Sequence, residues 1–183
     1  TGIGGMDLGF GGKVIVHKKS ISDNFKRIKS IFSDNFVLLK PTNFNVIFQN
    51  DILKGAKEIY LKNFPNNSNY VLESIFTLIE QEYVFPDADV VIGGFPCQDF
   101  SHCGKRMGFN SKKSHDLKQK DEKNNRGTLY KSFVEVVKKV KPKIFVAENV
   151  SGLLTMKNNP IQIIVNDFST LGYDVNYSLV KSE

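Results

Sequence analysis

The chain contains no tryptophan, only two cysteines and only three histidines. Two thiols, Cys97 and Cys103, cannot build the disulfide framework of a small secreted domain, and their spacing is not CxxC. His17, His102 and His115 are scattered without the spacing of a zinc site, so no metal is expected. No apolar run approaches the roughly 18 residues a membrane span needs, so no membrane partner is expected either. The opening TGIGG has neither the basic n-region nor the apolar h-region of a secretory signal. These scarcities suit a reducing, cytoplasmic setting.

What is present is an ordinary globular composition: 183 residues, 40% hydrophobic and 24% charged. That is enough for one domain with a real core and too little for two large ones. Lys and Arg outnumber Asp and Glu by 25 to 19, a net +6 that is compatible with a polyanionic partner but does not demand one. Thr1 opens directly on a glycine turn, and YDVNYSLVKSE stops within what reads as a strand. The chain is therefore expected to be a piece of a longer protein, cut at both ends.

Strand and helix patterns alternate along it. NVIFQN (Asn45 to Asn50) reads as a strand and Leu53 to Asn63 as a helix, with Ala56, Ile59 and Tyr60 on its apolar face. Tyr70 to Glu82 reads as a helix after a short extended start. Ala88 to Ile92 and Lys143 to Ala147 read as strands buried on both faces of a parallel sheet. Leu129 to Val140 is an amphipathic helix with Lys131, Lys138 and Lys139 outward, ended by Pro142. Ile161 to Leu171 is a helix stopped by Gly172, and Tyr173 to Val180 a further strand. This βαβα order predicts an α/β domain with a mainly parallel sheet. Two segments interrupt it. Lys13 to Phe44 reads as an insertion with strands at 14–16 and 36–39 and a helix near 25–32. Ser111 to Arg126, polar and aperiodic, reads as a mobile surface loop.

Gly2-Ile3-Gly4-Gly5-Met6 opens like a dinucleotide-binding loop, but Asp7 stands where GxGxxG needs its last glycine. A carboxylate beside a phosphate is unfavourable. The turn therefore suits a cofactor with a cationic or zwitterionic end, such as S-adenosylmethionine, better than NAD. A plain glycine turn explains the same residues equally well. The ribose hydroxyls of such a cofactor call for an acid at the carboxyl end of a strand, and Asp51 stands there.

Cys97 follows Pro96 just past the strand ending in Gly93-Gly94, on the rim where open α/β sheets bind ligands. A thiolate is a strong nucleophile when its surroundings favour it, although an isolated cysteine is more often a small packing residue. KIFVAENV adds Glu148 and Asn149 at the end of the next strand. Asn149 could cap a helix, but an acid and an amide there suggest chemistry. A thiol, an acid and a sulfonium cofactor on one rim suit methyl transfer to an electron-poor ring.

Taken in order, TGIGGMDLGF, GGFPCQDFS, RGTLY and AENVSGLL resemble the cytosine-C5 DNA methyltransferases over nearly the whole chain, the insertion excepted. NDILKGAKEIYLKNF and SKKSHDL are similar to a HaeII-like branch of the bacterial restriction-modification enzymes. The resemblance implies a Rossmann-like S-adenosylmethionine-dependent methyltransferase fold, acting on a flipped cytosine in double-stranded DNA. Cys97 would attack C6, Glu148 would engage N3, and Asn149 and Pro96 would shape the pocket. For the cofactor it implies Gly2, Ile3, Gly4, Gly5 and Met6 in the loop, Asp51 on the ribose, and Ile52 and Ile75 against the adenine. Leu129 would lie nearby and Phe95 at the junction with substrate. Ser74 stands where the family has Asp, so either Ser74 or Glu73 would take the adenine-amine contact. Gln98, Ser101 and Lys105 would contact DNA. A cognate restriction endonuclease would be a functional partner only. The family's arginine-bearing motif and target-recognition domain do not occur in this stretch. A non-catalytic module needing a partner chain and a tRNA-cytosine methyltransferase therefore stay open as alternatives. An NAD-dependent oxidoreductase would rest on Gly2-x-Gly4 alone.

Overall fold

The computed structural model describes residues 2–21, 26–67, 69–95, 129–156 and 159–180. Cys97, Pro96, Gln98, Ser101, Lys105 and the loop 111–126 lie outside the described residues. The chain divides into two compact units, one running to Leu72 and one from Glu73 to Val180.

In the first unit, the glycine turn leads into α1 (Gly5–Gly11), followed by β1 (Ile15–His17), β2 (Ile28–Ile31) and β3 (Phe36–Leu39). These three strands form an antiparallel sheet in the order β1-β3-β2. The helix expected near 25–32 is therefore corrected: residues 28–31 are a strand. Ile28 and Ile31 have the i, i+3 spacing of a helix face. A register irregularity between Ile28 and Ser30 absorbs the odd residue, pairing Ile28 with Leu39 and Ile31 with Val37. An extra residue in one strand restores a common face that a regular strand would split. The remaining elements are β4 (Gln49–Asp51), α2 (Lys54–Asn63) and β5 (Tyr70–Leu72), with β4 and β5 paired in parallel.

Within α2 the expected apolar face is used only in part. Tyr60 is fully buried and Ile59 is exposed. Tyr60 stacks on Phe64 with centroids 4.6 Å apart and meets Tyr70 edge-on at 5.2 Å. The i, i+4 pair Tyr60–Phe64 thus supplies an aromatic floor, and Ile59 falls outside it.

The second unit comprises α3 (Ile75–Glu80), β6 (Val90–Gly94), α4 (Leu129–Val140), β7 (Ile144–Glu148), α5 (Gly152–Thr155) and α6 (Pro160–Ser169). β6 and β7 are parallel and in register from Val90–Ile144 to Gly94–Glu148. α4 buries Leu129, Tyr130, Val136 and Val137 while Lys131, Lys138 and Lys139 face outward, as its periodicity predicts. Its core joins Phe95, Tyr130, Val137, Leu153, Ile164 and Phe168. Phe145 of β7 stacks on Phe168 at 4.2 Å and meets Tyr173 edge-on at 5.2 Å. The Tyr173 hydroxyl donates to the Pro142 carbonyl at 2.6 Å. Two expectations fail here. β7 is not buried on both faces: Ile144 and Val146 are exposed, because among the described residues only the Phe145 face is covered. Residues 173–180 are extended without strand pairing, their Tyr173 and Val175 packing on the core instead.

Candidate active site

In the first unit the glycine turn is fastened to the end of β4. The Gly2 amide donates to Asp51 Oδ2 at 3.0 Å, and the Leu53 amide donates to Asp51 Oδ1 at 3.0 Å. The Tyr70 hydroxyl donates to the Gly2 carbonyl at 3.4 Å. Asp51 therefore closes the strand, turns the chain into α2 and pins the loop. Gly4 is buried with φ +92°, and a Cβ there would fall 2.5 Å from Phe64 Cε2 and 3.0 Å from Tyr60. Both the left-handed backbone and the aromatic floor demand glycine at this position. At Gly2 and Gly5, by contrast, an added Cβ meets nothing within 4 Å. The turn has an aromatic underside and an open upper side, flanked by exposed Ile3 and Ile52 with half-buried Met6.

Asp7 does not serve this open side. Its carboxyl is 3% exposed, and Oδ1 accepts from the Tyr60 hydroxyl at 3.4 Å. Burial pushes its pKa above the ordinary carboxylate value, and burial likewise pushes Tyr60 up to about 12. Asp7 therefore gives no electrostatic reason for a cationic cofactor, contrary to expectation: its side chain points into the unit, where it meets Tyr60 of α2. What fits S-adenosylmethionine is the rest of the turn. It offers open backbone at Gly2 and Gly5, a strand-end carboxylate on Asp51 and apolar Ile3 and Ile52 beside it. Sequence reasoning missed Tyr60 and Tyr70, which shape the turn from beneath. Their aromatic i, i+4 and strand positions were visible, but their proximity was not.

In the second unit the strand ends carry the polar groups. Glu148 closes β7 opposite Gly94, and its side chain is exposed. A Cβ on Gly94 would lie 3.0 Å from Glu148 Oε2, so glycine leaves room for the carboxylate. Among the described residues, the Glu148 carboxylate has no hydrogen-bond or ion-pair partner. Asn149 is no helix cap: its Oδ1 accepts from the Val150 amide at 2.9 Å, and its Nδ2 donates to the Phe95 carbonyl at 3.1 Å. This second bond ties the end of β7 to the residue two before Cys97. Phe95 itself is buried, its ring 6.2 Å from Tyr130. Ser74 and Leu129 are also buried and Ile75 is half-buried, while the Ser74 amide donates to Glu73 Oε1 at 2.7 Å. Among the described residues, no three His, Cys, Asp or Glu side chains group to hold a metal.

Each unit carries a parallel strand pair with an acid at a strand end, Asp51 in the first and Glu148 in the second, and the first unit clamps its glycine turn to that acid. The C-5 cytosine-specific DNA methylase family matches residues 1–183, the whole chain, and the chain belongs to that family. Its fold is the family's Rossmann-like S-adenosylmethionine-dependent methyltransferase fold. It is 31% identical to the Type II methyltransferase M.BsuRI of Bacillus subtilis over 186 residues, covering 100% of this chain and 38% of that protein. It is 34% identical to M.BspRI of Lysinibacillus sphaericus over 185 residues, 99% of this chain and 38% of that one. With M.NgoFVII of Neisseria gonorrhoeae it shares 37% over 159 residues, 84% of this chain and 38% of that one. The chain thus spans about two fifths of the length of these relatives.

Proposed function

We propose that the protein is a DNA (cytosine-5)-methyltransferase that modifies a flipped cytosine in double-stranded DNA. The observation that carries this reading is the register of β6 and β7. It sets Glu148 opposite Gly94, while Asn149 holds the Phe95 carbonyl directly ahead of Pro96 and Cys97. S-adenosylmethionine, when bound, supplies the methyl group for C5. Gly2, Ile3, Gly4, Gly5 and Met6 would shape its loop, and Asp51 would accept its ribose hydroxyls. Ile52 and Ile75 would flank the adenine with Leu129 nearby, Ser74 or Glu73 would meet its amine, and Phe95 would line the junction with substrate.

On the protein's side, the Cys97 thiolate adds to C6 of the ring and Glu148 holds a proton at N3, so that C5 becomes nucleophilic. After transfer the C5 proton leaves to solvent and the Cys97–C6 bond breaks, returning the thiolate. Base flipping is required because a thiol cannot reach C6 within the stacked duplex. Gln98, Ser101 and Lys105 contact the DNA. The setting is the bacterial cytoplasm, where methylation protects host sites from a cognate restriction endonuclease. No helix among the described residues is long and apolar enough to cross a membrane.

The test is transfer of tritium from labelled S-adenosylmethionine to duplex DNA. Wild type should label cytosine, and Cys97→Ser should lose roughly a thousandfold or more and fail to trap 5-fluorocytosine DNA. Equal labelling of tRNA would redirect the reading to a tRNA enzyme. No transfer by wild type, with Cys97→Ser indistinguishable from it, would mean a binding module that needs a partner chain.

A further inference from the structure

The segment 13–44 holds seven Lys or Arg and two Asp or Glu, a net +5 of the chain's +6. Almost the whole basic excess of the protein therefore sits around one antiparallel sheet, and the fold concentrates it further. The Lys13 amide donates to the Lys40 carbonyl at 3.4 Å, and the Lys40 amide donates to the Arg27 carbonyl at 2.7 Å. Arg27 Nη2 donates to the same Lys40 carbonyl at 3.3 Å. The backbones of three basic residues from three separate strand ends meet at one end of the sheet, with Lys26 next to Arg27 in the chain.

Lys13, Lys26 and Lys40 are exposed and Arg27 is half-buried. Among the described residues, none of them is paired with a carboxylate. Lys13 is held at φ +55°, a left-handed conformation unusual for lysine, so the cluster is built at some conformational cost. Like charges brought close together raise the local potential and favour a polyanion. A single cation would suffice to complement the end of α1, which lies beside them through the Gly12–Pro41 bridge.

We propose that this end of the sheet, Lys13, Lys26, Arg27 and Lys40, is a phosphate-contacting surface that grips the backbone of duplex DNA. It rests on the reading of the protein as a DNA methyltransferase, and it supplies affinity without reading sequence.

The test measures binding of a short labelled duplex across a salt series. The triple variant Lys13→Gln, Lys26→Gln, Lys40→Gln should flatten the slope of log K against log salt by about 2 to 3, roughly one for each phosphate no longer neutralised. The triple Lys→Arg variant at the same positions should keep the wild-type slope. A charge-matched control, Lys131→Gln, Lys138→Gln, Lys139→Gln on α4, should leave the slope unchanged. All these lysines are exposed, and circular dichroism checks that each variant is folded. A Gln triple equal to wild type in slope and affinity overturns the proposal, as does an equal loss in the α4 control. Lysine-dependent slopes seen with RNA and absent with duplex DNA overturn the choice of DNA. Tritium transfer at saturating duplex, run alongside, separates the two readings. Transfer retained with an unchanged slope sinks only the surface, and a changed slope without wild-type transfer sinks only the enzymatic assignment.

Discussion

Asp51 and Glu148 occupy equivalent places, each the last residue of a parallel strand, yet their surroundings differ. Both oxygens of Asp51 accept backbone amides, from Gly2 and Leu53, so its carboxylate belongs to the architecture as well as to the proposed ribose contact. Glu148 is exposed, faces a glycine that leaves it room, and has no partner among the described residues. A carboxylate with no donor among the described residues is available to a substrate. One already engaged twice can serve a ligand only while it holds the loop that receives it.

The contrast is sharpest in Glu148→Gln. Loss of a proton-holding group should reduce methyl transfer by about 10² to 10⁴-fold while thermal unfolding stays as in wild type. A comparable fall in stability would show that Glu148 is architectural after all. Asp51→Ala should do the reverse. It leaves the Gly2 and Leu53 amides without their acceptor and should cost about 1–3 kcal/mol in unfolding, with weaker S-adenosylmethionine binding by calorimetry. Unchanged stability there would erase the distinction between the two acids.

Gly94→Ala tests the room left for Glu148. Its methyl group would press on Oε2 and should lower transfer roughly tenfold through misplacement, without a change in cofactor affinity. The smallest effect is expected at Asp7, a third acid that is buried and takes no part in the proposed chemistry. Its raised pKa means that its contribution to stability is fully present below the ordinary value of 3.8 and is lost as pH rises through the raised one. Asp7→Asn should therefore melt a few degrees higher than wild type at neutral pH, and that advantage should vanish in acid. An advantage that persists at low pH would show that burial of the charge is not its cause.

Much of this was legible in the order of residues. Pattern alone located α4, α6, β6 and β7, because their apolar spacing and their Pro and Gly boundaries are local properties. The strand-end positions of Asp51, Glu148 and Asn149 followed from the same reading, as did the family resemblance carried by the glycine, cysteine and acid motifs. The failures have a common origin. Ile28 and Ile31 read as a helix face because a bulge is invisible until a partner strand is known. Ile59 was placed beside Tyr60 on the expected apolar face because helical periodicity gives a face but not which edge of it is covered. The charge of Asp7 was weighed against a cofactor's because a glycine-rich turn says nothing about which of its sides meets the protein.

The sequence by itself determined which groups are available for chemistry and that they stand at strand ends, since both depend on residue type and local pattern. Tertiary structure decided which of those groups are already engaged. The Gly2–Asp51 clamp, the Asn149–Phe95 tie and the gathering of Lys13, Arg27 and Lys40 join residues far apart in the chain. Hydrogen bonds and charge clusters of that kind depend on distances that only packing sets.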